Sequence, residues 1–467
     1  MIFLTPYPAY KDTGIEWLGQ IPAHWEVRRL KRVAQINPSK SEVSNPMRDG
    51  HAVFLPMERV GADGQYDKSE IRPISELWNG FTYFRRGDII IAKITPCFEN
   101  GKGAWLENLP TEIGFGSTEF HVIRPHKEIT APYLYRITTL SEFRRLGTDA
   151  MTGAAGQQRV PAEFVANFSI PLPPLAEQAA IVRFLDFVDG RIRRYTHAQQ
   201  RVIDRLTEYK QAVIHQAVTG KIDVRTGAPY PAYKDTGIEW LGQIPAHWEV
   251  HTFRQIARAV KGSQPQKLYL EHEAPPEAKP YLTMEYLRAP QGNAKFYCVP
   301  VDGDVVANAG DILLLWDGAN AGEFFVAKEG VVSSTAALLQ VAHCHTRYLY
   351  FVLKQCEPLL RAFSTGMGIP HVDGRTLRQM PIPLPPLAEQ AAIVQDMDEQ
   401  TARIDAAIAA VRRRLARVGE YRARLISDVV TGKLDVRAVA AGLPSDADAP
   451  TDTETYGEAY HVGDAVP

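Results

Sequence analysis

The feature that most constrains the fold of this chain is an internal duplication. The segment PYPAYKDTGIEWLGQIPAHWEV occupies residues 6–27 and recurs letter for letter at residues 229–250. Two shorter segments repeat in the same order, IPLPPLAEQAAIV at residues 170–182 and 382–394, and VTGK(I/L)DVR at residues 218–225 and 430–437. The 467 residues are therefore two tandem copies of one unit of about 220 residues.

The spacing of these repeats separates a constant frame from a variable insert. Residue 182 precedes residue 218 by 36 positions, and residue 394 precedes residue 430 by the same 36. Between the first and second repeats, in contrast, lie 142 residues in one copy (28–169) and 131 in the other (251–381), and their sequences differ. Each copy thus joins a frame of fixed length to an insert of its own.

The stretch of fixed length predicts a long helix in each copy. In the first copy Pro173 and Pro174 precede it, Glu177 lies in its first turn, and Gly220 ends it. A helix of about 40 residues spans about 60 Å, and apolar residues recur along it at steps of four and three, which predicts that the two helices pack together as a coiled coil. The alternative is that each helix packs only on its own insert. The predicted seam consists of Ile181, Leu185, Val188, Ile192, Tyr195, Val202, Leu206, Tyr209 and Val213 in the first helix and Ile393, Met397, Ile404, Ala407, Val411, Val418, Tyr421 and Leu425 in the second.

The two inserts predict one mixed α/β fold with different surfaces. Each has a Gly-Asp turn before an apolar run, at Gly87-Asp88 and Gly310-Asp311. Each has a later amphipathic helix and then a glycine-rich loop, TGAAGQQRV at residues 152–160 and TGMGIPHVD at residues 365–373.

Composition and missing motifs exclude several classes of protein. With 52 Lys and Arg against 54 Asp and Glu, the chain is no polycation. It has no apolar run of 18 residues, no secretory leader and no CxxC pair, so we expect a cytoplasmic protein with reduced thiols. No P-loop, HExxH or GxSxG motif occurs, and His343, Cys344 and His345 are poorly spaced for zinc, so we expect neither a catalytic residue nor a metal site.

The repeated motifs resemble those of one family. The PPLAEQ-headed helix ending in VTGK(I/L)DVR, the segment YKDTGIEWLGQIPAHWEV and two unlike inserts are similar to the specificity subunit of a type I restriction–modification enzyme. The resemblance implies an α+β fold in which two target recognition domains are separated by two long helices that form an antiparallel coiled coil with pseudo-two-fold symmetry. It also implies three partners: double-stranded DNA, two methyltransferase (modification) subunits and two restriction (helicase-nuclease) subunits. S-adenosylmethionine, ATP and magnesium are then cofactors of those partners, in a bacterial or archaeal cytoplasm.

The expected domain boundaries follow from the repeats and the resemblance. They are target recognition domain 1 at residues 1–172, the central helix at 173–220, target recognition domain 2 at 221–384, the C-terminal helix at 385–432, and a disordered acidic tail at 438–467.

The duplication itself suggests a mechanism. Identical frames present equivalent docking sites for two copies of one partner, while unlike inserts read the two unlike halves of an asymmetric, split DNA site. The insert at 28–169 has 19 basic and 16 acidic residues and that at 251–381 has 13 and 12, so we expect the partners to supply much of the grip on phosphate. Two alternatives remain open: a stand-alone sequence-specific DNA-binding scaffold, and a coiled-coil interaction protein whose inserts bind proteins or glycans.

Polar and basic loop residues of the inserts are the candidates for base contacts, because their side chains match the donor and acceptor patterns of base edges. In the first insert they are Gln157, Gln158, Arg159, Lys93, Thr95, Asn100, Lys102, Ser117 and Thr118. In the second they are Asn320, Ser333, Ser334, Thr335, His371 and Arg375.

The repeated aromatic residues are candidates for binding a partner, or else for pinning the insert to the base of the helix. They are Tyr10, Trp17, Trp25, Tyr233, Trp240 and Trp248. Three residues separate Arg225 from Pro229, so by symmetry Pro6 should lie close to Arg437 and close the frame into a ring.

The fixed length of the helices predicts that they set the unread gap between the two half-sites. Inserting whole heptads beside Gly220 should lengthen the gap in the methylated DNA sequence, as mapped by sequencing that detects methyladenine. An unchanged gap would contradict this role for the helices.

Overall fold

The computed structural model describes residues 4–43, 49–154, 156–289, 292–363 and 370–444. The described residues form two compact units, one within residues 4–198 and 414–444 and the other within residues 199–413. Both boundaries between the units fall inside the two long helices.

The first unit carries the first insert. Its strands are β1 (Tyr10–Asp12), β2 (Gln20–Pro22), β3 (Glu26–Arg29), β4 (Ala34–Ile36), β5 (His51–Leu55), β6 (Ile71–Pro73), β7 (Thr82–Arg85), β8 (Ile89–Ala92), β9 (Gly103–Trp105), β10 (Ile113–Gly116), β11 (Phe120–Pro125) and β12 (Ser169–Leu172). Its helices are α1 (Ile74–Leu77), α2 (Ala131–Thr138), α3 (Ser141–Asp149) and α4 (Ala162–Asn167), followed by the long helix α5 (Leu175–Val218).

The second unit repeats this order with the second insert. Its strands are β13 (Tyr233–Asp235), β14 (Gln243–Pro245), β15 (Glu249–Thr252), β16 (Ala257–Lys261), β17 (Tyr269–Leu270), β18 (Lys279–Leu282), β19 (Phe296–Cys298), β20 (Val306–Ala307), β21 (Ile312–Leu315), β22 (Phe324–Val326), β23 (Gly330–Val332), β24 (Ala336–Val341) and β25 (Pro381–Leu384). Its helices are α6 (Phe253–Ile256), α7 (Met284–Arg288), α8 (Thr346–Ala362) and α9 (Gly374–Gln379), followed by the long helix α10 (Leu387–Val430). The short helix α11 (Arg437–Ala441), which comes after α10, belongs to the first unit.

The two inserts share one sheet topology, as the sequence predicted, except that β17 adds a fifth strand to one sheet of the second unit. In the first unit the sheets run β4-β11-β8-β9 and β6-β5-β10-β7, and in the second β16-β24-β21-β22 and β17-β19-β18-β23-β20. Pairing is antiparallel except between β5 and β10 and between the corresponding strands β18 and β23. Two-stranded pairs β3-β12 and β15-β25 join each insert to its long helix.

The predicted Gly-Asp turns are confirmed. Gly87 and Gly310 have φ values of +89° and +96°, which favour glycine. The Asp88 carboxylate accepts a hydrogen bond from the Arg85 backbone N–H at 2.7 Å and pairs with Arg124. All four residues of the strand that follows, β8, are buried, as expected from the apolar run.

The chain closes the frame of the first unit as predicted. The Asp435 N–H donates to the Thr5 carbonyl at 2.8 Å, and the Tyr10 hydroxyl donates to the Lys433 carbonyl at 3.2 Å. In the second unit the covalently continuous chain makes the same two contacts, from Asp223 to Ala228 and from Tyr233 to Lys221, at 2.8 and 3.2 Å. In the first unit these hydrogen bonds therefore hold the N-terminal segment in the position that its copy reaches in the second unit through the continuous chain.

We call the first repeated segment of each copy, residues 6–27 and 229–250, its leading repeat. A buried glutamate connects each leading repeat to the start of its long helix. Glu177 accepts hydrogen bonds from Trp25 Nε1 at 2.9 Å and from the Tyr7 hydroxyl at 3.2 Å, and it contacts His24 Nε2 at 2.6 Å. Glu389 has the same partners in the second unit, Trp248, Tyr230 and His247, at 2.8, 3.3 and 2.9 Å.

The contacts with the buried glutamates show that the prediction that Trp25 and Trp248 bind a partner is wrong. Both side chains are completely buried, and both indole N–H groups are occupied by the glutamates. They pin the leading repeat to the base of the helix, which was the alternative that the sequence left open.

Within each unit the two long helices pack antiparallel, as expected for the coiled coil. In the first unit Ile181 and Leu185, near the start of α5, share a core with Ile426 and Val429, near the end of α10. In the second unit the end of α5, at Ile214, shares a core with the start of α10, at Ile393. Both cores also include insert residues, so each helix packs on its own insert as well as on the other helix.

The predicted seam is wrong in the middle of the helices. Tyr195, Val202, Tyr209 and Tyr421 are 40 to 60% exposed, and Ala407 is exposed. The buried or half-buried stripe instead repeats every 11 residues, because this period of 3.67 residues per turn stays closer to the natural 3.6 of an α-helix than a heptad does. Its members are Ile181, Ile192, Ile203 and Ile214 in α5 and Ile393, Ile404, Leu415 and Ile426 in α10.

The folded part of the chain extends into the predicted acidic tail. Helix α11 follows the last repeat, and Ala440 is buried in the core of the first unit. The Arg183 guanidinium donates to the Leu443 carbonyl at 2.6 Å. Residues 438–444 therefore belong to the folded unit, which corrects the expected start of the tail, and residues 445–467 lie outside the described part of the chain.

In the part of the chain that the structure describes, no helix combines the length and the apolar character that a membrane span requires.

Asp189 of α5 joins the insert to both long helices in the first unit. Its carboxylate accepts from Arg136 of α2 at 2.5 Å and from Arg422 of α10 at 2.7 and 2.9 Å. Burial alone would raise the pKa of Asp189, but the two guanidinium groups outweigh it and lower the pKa.

Replacing Asp189 by Asn should destabilise the protein by about 3–5 kcal/mol, because the substitution removes the buried carboxylate that pairs with both Arg136 and Arg422. The free energy of unfolding from urea titration measures this. Since the folded-state pKa of Asp189 is depressed, the stability it provides is present above its unfolded pKa of about 3.9 and is lost as the pH falls through the folded value. The matched variant Asp186→Asn removes an exposed partner of Arg136 and should cost less than about 1 kcal/mol. Equal losses from the two variants would contradict the role of Asp189.

Candidate nucleic-acid interface and partner surface

Three loops of the first insert meet at one end of the sheet β4-β11-β8-β9. Residues 93–95 follow β8, residues 117–119 connect β10 to β11, and residues 157–159 come from the glycine-rich loop. The Lys93 N–H donates to the Glu119 carbonyl at 2.8 Å, and the Thr95 N–H donates to the Gln158 carbonyl at 3.0 Å. We call these three loops the recognition cradle of the first unit.

The second unit has the same cradle, built from residues 316–318, 333–335 and 370–371. The Trp316 N–H donates to the Thr335 carbonyl at 2.8 Å, and the Gly318 N–H donates to the Pro370 carbonyl at 2.9 Å. The last contact of each cradle also corresponds, from Val160 to Lys93 in one unit and from Val372 to Trp316 in the other, at 2.8 and 2.9 Å.

These hydrogen bonds align the cradles residue by residue. Six pairs of positions correspond: Lys93 and Trp316, Thr95 and Gly318, Ser117 and Ser333, Glu119 and Thr335, Gln158 and Pro370, and Arg159 and His371. In five of these six pairs the residue type differs. One backbone arrangement therefore presents two different sets of side chains.

The side chain of Arg159 is held by an acidic residue that the sequence analysis did not select. Glu119 accepts from Arg159 Nε at 2.9 Å and from Nη2 at 2.8 Å, and the Gln157 carbonyl accepts from Nη1 at 3.1 Å. The hydrogen bond and the charge of Arg159 lower the pKa of Glu119 against the effect of burial, so this carboxylate is ionised.

The other candidates of the first insert divide into free and occupied side chains. Thr118 and Gln157 are exposed, and Lys93 and Gln158 are half-buried at the cradle surface. The Thr95 hydroxyl donates to the Gln158 carbonyl at 3.3 Å and so holds the loop.

Two candidates lie beyond this cradle along the chain. The Lys102 ammonium donates to the Met57 carbonyl at 3.1 Å. Asn100 is exposed in the turn that follows Thr95.

In the second cradle one candidate is ruled out. Ser333 is 4% exposed, and its hydroxyl shares a hydrogen bond of 3.1 Å with that of Thr335. Its selection as a base reader was wrong, because a side chain this deeply buried stabilises the loop. Thr335 and His371 are exposed and Ser334 is half-buried.

The last two candidates of the second insert flank its cradle. Asn320 is exposed in the turn after Gly318, and Arg375 is exposed in the first turn of α9.

Charged residues missed by the sequence analysis also lie in the cradles. Glu119 lies in the first, and Asp317 of the second pairs with Lys261 at 2.6 Å. Basic, amide and hydroxyl side chains were the expected base readers, so these two carboxylates were not among the candidates. Asp317 lies as far after Gly310 as Ile94 lies after Gly87. Aligning the two inserts on their Gly-Asp turns would therefore have placed Asp317 in the loop that corresponds to residues 93–95.

The leading repeats form a second feature of interest. In the first unit a surface pocket of about 470 Å³ lies against Tyr10 and the half-buried Trp17, whose ring stacks on Phe168 at a centroid distance of 4.9 Å. The lining consists of Pro6, Tyr10, Glu16, Trp17, Leu18, Gly19, Gln20 and Lys433. Identical residue types stand at the eight corresponding positions of the second unit, Pro229, Tyr233, Glu239, Trp240, Leu241, Gly242, Gln243 and Lys221.

Packing alone does not require this identity. Lys11, Asp12, Glu16 and Gln20 are exposed, and so are their counterparts in the second unit, yet all four are unchanged. The two units therefore present the same surface around Trp17 and Trp240, while their inserts differ.

Comparisons with known proteins identify relatives of this chain. The chain is 42% identical over 164 residues to the specificity subunit of the type I restriction enzyme EcoAI of Escherichia coli, an alignment that covers 35% of this chain and only 28% of that relative. It is 23% identical over 448 residues to the putative type I restriction enzyme MjaX specificity subunit of Methanocaldococcus jannaschii, covering 92% of this chain and 97% of that relative.

Among solved structures, a chain from work on complex assembly and conformational transition of the type I R-M system has the same fold. It matches with a TM-score of 0.67 at 20% identity, over 89% of this chain and 99% of that chain.

The family described as the type I restriction modification DNA specificity domain matches residues 22–203 and 245–410, which include most of both copies of the repeated unit. The chain belongs to this family.

Proposed function

We propose that the chain is the DNA sequence-recognition subunit of a type I restriction–modification complex. Each recognition cradle reads one half of a bipartite, asymmetric site on double-stranded DNA. The chain supplies recognition and no chemistry, in a bacterial or archaeal cytoplasm.

The observation that carries this proposal is the pair of cradles with one backbone and two sets of side chains. A structural role would preserve side chains together with the backbone that they stabilise. Here the three backbone hydrogen bonds that join the loops agree within 0.1 Å between the units, whereas five of the six aligned residue types differ. Such a pattern suits two sites that recognise different ligands of one class, and base edges in the major groove are ligands of this kind.

The duplicated surface around Trp17 and Trp240 suits a partner that binds twice. We assign it to two methyltransferase subunits, each contacting one leading repeat. Two restriction subunits complete the complex, and S-adenosylmethionine, ATP and magnesium are cofactors of these partner subunits. Tyr209 and Tyr421, which are exposed at corresponding positions of the long helices, are further candidate contacts for these subunits.

A methylation map tests the recognition role directly. Methyladenine mapped across the host genome with and without this gene should show one split, asymmetric motif that disappears when the gene is deleted. A motif that persists without the gene, or methylation with no sequence preference, would contradict the proposal. Purified chain that binds this motif but captures no methyltransferase subunit would favour the stand-alone scaffold.

The partner surface predicts a stepwise loss of binding. Trp17→Ala should reduce the number of bound methyltransferase subunits from two to one, and Trp17→Ala with Trp240→Ala should abolish binding, because each substitution removes the half-buried aromatic side chain of one copy of the duplicated surface. Native mass spectrometry of the assembled complex counts the subunits. The matched control Ile71→Ala removes an exposed apolar side chain of β6 in the first insert and should leave two bound. Retention of both partners by the double variant would contradict this assignment.

A further inference from the structure

The Glu119–Arg159 pair is the most distinctive chemical difference between the two cradles. The ionised carboxylate and the guanidinium face each other in the first unit, and Thr335 and His371 occupy the same two positions in the second. Backbone bridges fix the correspondence, since Arg159 pairs with Ile94 and His371 pairs with Asp317. An arginine and a carboxylate have thus been exchanged for shorter side chains without a change in the backbone.

The geometry leaves Arg159 with donors to spare. A guanidinium has five N–H donors, and here Nε and Nη2 point to Glu119 while Nη1 points to the Gln157 carbonyl. One hydrogen on each of Nη1 and Nη2 has no acceptor within the described part of the chain. The Arg159 side chain is 43% exposed against 24% for Glu119, so the guanidinium is the more accessible partner of the pair.

Two neighbouring features favour a base edge over a phosphate as the acceptor. Glu119 neutralises most of the charge of Arg159, which weakens its attraction for a phosphate but leaves its donor pattern intact. The carboxylate also fixes the plane of the guanidinium, so less side-chain entropy is lost when two parallel hydrogen bonds form. Guanine offers two acceptors, O6 and N7, at the spacing that such a fork matches.

We propose that Arg159 reads a guanine in the half-site of the first unit, with Glu119 as its positioning residue, and that Thr335 and His371 give the second unit a different requirement at the corresponding base pair. This inference rests on the proposed function and deepens it, since it names the positions that make the two half-sites unlike.

Exchanging the pairs between the units tests the inference. Glu119→Thr with Arg159→His should reduce the preference for guanine at one position of one half-site by roughly 10- to 100-fold, the discrimination expected of a bidentate contact. The other half-site and the gap should not change. The reciprocal variant Thr335→Glu with His371→Arg should create a guanine requirement in the other half-site. Methylation rates of the assembled complex on a library of DNA sites measure both.

The positioning role of Glu119 has its own readout. Glu119→Gln keeps an acceptor but removes the charge, and it should relax the same base position while leaving the rest of the motif intact. Glu119→Asp should restore part of the preference. The matched control is Arg145→His with Asp149→Thr, which removes an exposed ion pair on α3 of the same insert and should leave the motif unchanged.

The outcomes separate this inference from the proposed function. If the exchanged variants methylate the wild-type motif with unchanged preference, Arg159 does not read a base, although the recognition role stands. If the exchange, or Arg159→Lys as a milder substitution, weakens methylation of every sequence equally, Arg159 contacts a phosphate and the inference fails. If the wild-type chain directs no sequence preference at all, the proposed function itself fails.

Discussion

The frame depends on a buried glutamate at the start of each long helix. Glu177 and Glu389 are 8% and 6% exposed, and each is surrounded by the tryptophan, tyrosine and histidine of a leading repeat. A carboxylate in such a place is stable only when its hydrogen bonds are complete, so the leading repeat and the helix must dock together. Because this contact is made twice with the same residues, it gives both inserts the same attachment to the helices.

Beyond this shared attachment, the sequences of the two inserts can differ. The strands β8 and β21 begin at equivalent Gly-Asp turns and end at equivalent loops, and the backbone of the loops is fixed by contacts between main-chain atoms. Since main-chain hydrogen bonds do not depend on the side chain, residues at the cradle surface change without disturbing the fold. This separation explains how one frame carries two recognition surfaces.

Much of this architecture followed from the sequence. The identical repeats predicted the duplicated frame, the closure near Pro6 and the long helices, and the motifs identified the family. The assignment of Trp25 and Trp248 to partner binding was wrong, because identity between the two copies does not distinguish a buried residue from an exposed one. It misplaced the seam at Tyr195 and Tyr209, because apolar residues at heptad spacing compete with the 11-residue repeat of isoleucines. It missed Glu119, because its role depends on Arg159, 40 residues away in the sequence and adjacent only in the fold.

The central claim is that two copies of one frame recognise two different DNA half-sites through their inserts. The most direct measurement replaces residues 251–381 by residues 28–169, so that both copies carry the first insert, and maps the methylated sites of the assembled complex. The account predicts a symmetric site in which the first half-site appears twice, in opposite orientations, across the original gap. An asymmetric site identical to that of the wild-type chain would contradict it.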